Sequence, residues 1–165
     1  MKHTLLIITA LMLVVGCSES DAQQKVITVT ETYNDGDVSK ISYHKITGNK
    51  IELVKEINWY KNGQKEEEGT YKDGKKDGLH TEWYKNGQKR LEDTYKDGEW
   101  IKRTWWYENG QKKEERNYKD VELDGKCTAW YKNGRKSLEA IYKDGKLIEW
   151  TEWDEDGNVT HHKKY

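Results

Sequence analysis

The chain has 165 residues, with 29 Lys+Arg against 30 Asp+Glu, a formal net charge of −1, no proline and two cysteines. No basic excess is present to neutralise a phosphate backbone, so nucleic acid is excluded as the expected partner. Reading from the N-terminus, Lys2 and the short apolar run over residues 5–15 predict a secretory signal peptide covering residues 1–16, too short to span a bilayer as a stable helix.

The residues Val14-Val15-Gly16-Cys17 resemble the lipobox of bacterial lipoproteins. That resemblance implies cleavage before Cys17, lipidation of its thiol and a stable membrane anchor, since each buried CH₂ contributes about 0.8 kcal/mol. Residues 17–24 then form a lipidated tether. Ser18 stands where an aspartate would favour the inner membrane, and Ser18-Glu19-Ser20-Asp21 resembles the acidic export tags of some Bacteroidetes lipoproteins. The expected address is therefore the cell envelope, in the outer membrane or at the cell surface rather than in the inner membrane. With Cys17 acylated, Cys127 is left alone, so no intramolecular disulfide is expected and the fold must stand on packing.

Residues 25–165 read as one β-hairpin repeat domain. Strands are predicted over residues 26–33 and 38–46, joined by Asn34-Asp35-Gly36-Asp37. From residue 59 the chain repeats itself. Trp59-Tyr60-Lys61-Asn62-Gly63 returns at Trp83-Tyr84, Trp106-Tyr107 and Trp130-Tyr131, and in decayed form at Trp153, with spacings of 24, 23, 24 and 23 residues. Halfway between lie Tyr71-Lys72-Asp73-Gly74, Tyr95-Lys96-Asp97-Gly98, the interrupted Tyr118-Lys119-Asp120, and Tyr142-Lys143-Asp144-Gly145.

A fixed period of this size means an array of supersecondary units. Asn-Gly and Asp-Gly close tight hairpins, and the segments left between them suit strands and are too short for capped helices. The expected fold is all-β: an elongated antiparallel meander of roughly twelve strands, repeated from about residue 57 to 158, in which one period is one hairpin. Threonine stands two residues before the tryptophan at Thr81, Thr104, Thr128 and Thr151, with Ile57 in the first copy, so Thr and Trp share a face. Lysine recurs at Lys65, Lys89, Lys112 and Lys136, and glutamate at Glu68, Glu92, Glu115 and Glu139. Large aliphatic residues are sparse, so Trp and Tyr must do most of the burying.

The stretch from Tyr71-Lys-Asp-Gly through Trp83-Tyr-Lys-Asn-Gly-Gln88, with its copies, resembles the bacterial variant of the MORN (membrane occupation and recognition nexus) repeat. The resemblance implies a hairpin array that binds a partner, and many bacterial proteins similar to it carry an antitoxin-like label. Trp105-Trp106-Tyr107 is similar, more loosely, to choline-binding repeats, which cage quaternary ammonium groups between aromatic rings.

Catalysis needs unlike groups converging in one pocket, whereas this sequence offers the same groups at regular intervals. Glu66-Glu67-Glu68 and Glu114-Glu115 read as a solvated charged face, His44 and His80 stand isolated, and adjacent His161 and His162 point to opposite faces of a strand. No catalytic residue, cofactor or metal site is expected. The functional expectation is a non-enzymatic envelope lipoprotein, anchored through Cys17, that binds or scaffolds a protein partner in an antitoxin- or immunity-like way. Its candidate binding residues are Trp59, Trp83, Trp106, Trp130, Tyr84, Tyr107 and Tyr131. The second expectation is a module for cell-wall glycan of the choline-binding kind.

Overall fold

The computed structural model describes the backbone of residues 9–11 and 25–165. The expected lipidation site Cys17 and the expected tether at 17–24 lie outside the described residues, as does most of the expected signal peptide. No α-helix forms among the described residues, so none is long and apolar enough to cross a membrane.

The strands are β1 (Thr9–Leu11), β2 (Lys25–Thr32), β3 (Val38–Thr47), β4 (Lys50–Trp59), β5 (Lys65–Lys72), β6 (Lys75–Trp83), β7 (Lys89–Lys96) and β8 (Glu99–Trp106). They continue as β9 (Lys112–Lys119), β10 (Glu122–Leu123), β11 (Gly125–Trp130), β12 (Lys136–Lys143), β13 (Lys146–Trp153) and β14 (Val159–Lys164). All pair antiparallel in chain order, with β9 meeting β10 and then β11 as two pieces of one interrupted strand. The all-β meander is thus the fold, and its hairpins coincide with the sequence period. No second layer covers either face among the described residues, and no large side chain is fully buried there.

The two turn dipeptides behave differently. At Asn62-Gly63 the amide of Gly63 donates to the Tyr60 carbonyl (3.0 Å) and that of Tyr60 to the Gln64 carbonyl (2.9 Å), with only Gly63 at positive φ (79°). This is a type I turn closed by a glycine bulge. At Asp73-Gly74 both residues take positive φ (50° and 75°), the signature of a type I′ turn, as they do at Asp97-Gly98 and Asp144-Gly145. Where the motif is interrupted, Val121 adopts φ 69°, a strained setting for a β-branched side chain.

The alternating period also has a structural cause. The longer units contain an extra Asp-Gly, Asp77-Gly78 and Asp124-Gly125, with both glycines at positive φ (87° and 90°). Each such unit clasps the turn of the following hairpin. Asp77 accepts from the Asp97 amide (3.0 Å) and the Lys76 carbonyl from Gly98 (2.9 Å). Asp124 accepts from Asp144 (3.2 Å) and the Leu123 carbonyl from Gly145 (3.0 Å). The unit that repeats with its contacts intact is therefore a pair of hairpins, 47 residues from Trp59 to Trp106 and again from Trp83 to Trp130.

Candidate binding surfaces

The register sorts the side chains onto two unlike faces. On the repeating face Thr81 lies between Glu68 and Glu92, Thr104 between Glu92 and Glu115, and Thr128 between Glu115 and Glu139. These three threonines are buried. A bulge before each Trp brings the lysine onto this face beside the glutamate three residues later, giving Lys112–Glu115 (2.7 Å) and Lys136–Glu139 (2.6 Å). Burial pushes the Glu68 and Glu115 carboxyls up, and that of Glu139 less strongly, but the hydrogen-bonded lysines outweigh it and hold all three below the usual carboxylate range.

The same lysines cover tryptophan rings of the adjoining strand. Lys65 Nζ lies 5.5 Å from the centroid of Trp83, Lys89 5.3 Å from Trp106, Lys112 5.6 Å from Trp130 and Lys136 5.8 Å from Trp153. Trp and Lys thus alternate in a cation–π ladder along the sheet. Beside it runs a second ladder. The hydroxyl of Tyr60 donates to the Trp83 carbonyl (2.8 Å), Tyr84 to Trp106 (2.9 Å), Tyr107 to Trp130 (2.9 Å) and Tyr131 to Trp153 (2.7 Å). The amides of Asn62, Asn86 and Asn109 donate to carbonyls of the next turn, those of Lys85, Glu108 and Lys132.

Of the expected binding residues, Tyr84, Tyr107 and Tyr131 have their hydroxyls committed to backbone, and Trp83, Trp106 and Trp130 each carry a lysine. Trp59 differs: among the described residues no cation lies over its ring.

The opposite face varies from copy to copy. Its row at the level of His80 reads Gly69, His80, Asp93, Arg103, Arg116 across successive strands, then Cys127, Ala140 and Trp150. His80 is buried, packed edge-on between Tyr71 (5.2 Å) and Tyr95 (5.0 Å), with Nε2 2.6 Å from the Thr70 carbonyl. Burial holds its pKa below the ordinary histidine value, so it is neutral and Nε2–H donates to that carbonyl. Its ring occupies the space above Gly69, where a Cβ would stand 2.1 Å from Nδ1. His80 is thus no isolated histidine but the centre of an aromatic row continued by Tyr95–Trp100 (6.1 Å) and Trp100–Tyr118 (6.3 Å).

At the middle of this face Trp105 lies between two guanidinium groups, Arg103 (4.9 Å) and Arg116 (5.3 Å), and Arg103 also covers Trp100 (4.5 Å). Arg103 and Arg116 are direct cross-strand partners. Their charges are balanced by Asp93, 2.8 Å from Arg103 Nε, and Glu114, 2.6 Å from Arg116 Nε. Asp93 is only 4 % exposed, which fixes Arg103 in place, while Arg116 and Trp105 remain part-exposed. The positions matching Trp105 in other copies are Asn58, Glu82, Ala129 and Glu152. Sequence reasoning passed over Arg103 and Arg116 because they are not repeated; that departure was the available signal.

The remaining candidates are accounted for locally. His161 Nδ1 meets Glu152 (3.2 Å) and His162 Nδ1 meets Thr151 Oγ1 (2.9 Å), on opposite faces of β14. Among the described residues no three metal-ligating side chains converge. Cys127 is buried opposite Ala140, and burial pushes its thiol up, away from the reactive thiolate.

No curated protein matches the chain. A family model described as the MORN repeat variant matches residues 54–73, 76–97 and 101–120, less than half of the chain, from β4 to the turn that follows β9. Over these three segments the array is similar to the MORN repeat variant, and the same hairpin geometry continues beyond them to β13.

Proposed function

We propose that the protein is a non-enzymatic envelope lipoprotein, held by an acylated Cys17, that binds a protein partner through its aromatic sheet surface. The observation that carries this reading is the contrast between the faces. The repeating face satisfies its own rings and charges with neighbouring hairpins, whereas the varying face presents Trp105 between Arg103 and Arg116. Aromatic and arginine side chains are the types that anchor protein interfaces. Repeats of the matched kind are commonly protein- or membrane-binding modules. An immunity-like role, with the partner a toxin that reaches the envelope, is the specific form we favour. Choline-type glycan binding has less support, because lysines already occupy the ring faces of Trp83, Trp106 and Trp130 that would cage a quaternary ammonium group.

Crosslinking the lipidated protein in its native envelope and co-purifying it tests the proposal. One protein captured in stoichiometric yield, with Cys17→Ser leaving the membrane fraction, is the expected result. Recovery of wall glycan without protein would overturn it.

A further inference from the structure

Trp59 is the first rung of the Trp–Lys ladder and the one whose lysine is replaced. The turn before it, with Tyr33 N donating to Asp37 O (2.8 Å) and Gly36 N to Tyr33 O (3.0 Å), repeats the bonding of Tyr60, Gly63 and Gln64. By that equivalence Val38 stands where Lys65 stands one hairpin later, and Ile41 stands where Glu68 does. Ile41 pairs with Ile57 as Glu68 pairs with Thr81, which fixes both on the repeating face. The ion pair that covers every later tryptophan of the ladder is therefore a Val/Ile pair at Trp59. In its place lies an open dish of about 490 Å³ formed by Val38, Ile41 and Trp59 with Asp37 and Lys61 at the rim.

We propose that this dish receives a lysine side chain supplied by another polypeptide. The chain itself shows the chemistry four times, with a lysine ammonium 5.3 to 5.8 Å from a tryptophan centroid. At Trp59 the methylene stem of an incoming lysine would lie on Val38 and Ile41, and its ammonium would meet the ring face and the Asp37 carboxylate. Lys61 does not fill the place. Its ammonium is 3.3 Å from Asp35 and lies over Tyr33 at 5.5 Å. The proposal goes beyond the partner surface on the varying face, since it concerns the other face and a ligand group small enough to be tested alone.

The experiment is a titration of the full mature protein followed through its eight tryptophan indole N–H signals, with that of Trp59 assigned by Trp59→Phe. The probe is Nα-acetyl-lysine methylamide, compared with the uncharged norleucine analogue and with choline. The Trp59 signal is expected to shift saturably with the lysine probe, and at least about threefold more weakly with norleucine. The double variant Val38→Lys/Ile41→Glu, which restores the pair found at Lys65 and Glu68, should remain folded and abolish the shift. Equal binding of norleucine, undiminished binding by the double variant, or several-fold tighter binding of choline would each overturn the assignment. None of these results touches the varying-face partner, which crosslinking reads separately.

Discussion

Replacing Tyr84 by phenylalanine removes one hydroxyl and nothing else, and the structure says what that hydroxyl does. It donates to the carbonyl of Trp106, 22 residues ahead, at 2.9 Å, tying one Asn-Gly turn to the next. The group is desolvated enough that burial pushes its pKa above the ordinary phenol value. A net hydrogen bond is worth about 0.5 to 1.5 kcal/mol, and more when the abandoned carbonyl stays dry, so a loss of about 1 to 2 kcal/mol is expected. For an array of roughly 140 ordered residues the unfolding entropy is about 0.3 kcal/mol per degree, giving a fall in Tm of about 3 to 7 °C. The assay is thermal unfolding followed by circular dichroism, with Tyr142→Phe as control. The Tyr142 hydroxyl makes no hydrogen bond among the described residues, so its loss should cost well under about 0.5 kcal/mol. Equal melting shifts for the two variants would refute the turn ladder as a source of stability.

Gly69→Ala should cost about 1 to 3 kcal/mol, because its Cβ would sit 2.1 Å from the buried His80 ring; adding His80→Ala should recover part of the loss in urea titrations. Val121→Gly should raise the urea midpoint by the equivalent of about 1 kcal/mol, since it relieves φ 69° at a position held by glycine in the other copies. His80 is neutral in the folded protein and protonates more readily once unfolded. Its contribution is therefore complete above the ordinary histidine value and is lost as the pH falls below it; melting points between about pH 7.5 and 5.5 should drop, and His80→Gln should flatten that dependence. Deleting residues 84–130 removes 47 residues and lets Asp77 clasp the Asp144 turn, so the β signal in circular dichroism should persist. Deleting residues 60–83 removes about half as many, yet strips Asp97 and Gly98 of their acceptors and should melt lower than the 47-residue deletion.

The hairpin array was legible because its turn dipeptides recur and because eight residues between turns leave no alternative to strands. Thr81 and Trp83 sharing a face also followed from the period of two. Less legible was what the register does with charge. Lys89 and Glu92 are three apart, which in a regular strand puts them on opposite faces; the bulge at Trp83 brings them together, and no local sequence signal marks it. The 24/23 alternation was visible as numbers, but its cause, Asp77 reaching the next hairpin, is a contact across 20 residues. His80 was read as isolated because it has no serine or cysteine partner at a recognisable motif. Its structural signal was Gly69, a mid-strand glycine whose missing side chain makes room for a ring. The aromatic stripe led to the repeated tryptophans, although all of them after Trp59 are already covered by lysine.

On this reading the repeated Trp83, Trp106 and Trp130 build the sheet, while the unrepeated Trp105, with Arg103 and Arg116, binds the partner. That division is tested most directly by measuring melting temperature and crosslinked partner yield, per folded molecule, for Trp83→Ala and Trp105→Ala side by side. Trp83→Ala, which removes a ring covered by Lys65, is predicted to lower stability by about 3 kcal/mol and to leave partner yield unchanged. Trp105→Ala is predicted to melt within a few degrees of the parent and to lose the partner. If Trp83→Ala loses the partner while Trp105→Ala keeps it, function resides on the repeating face and the account is wrong.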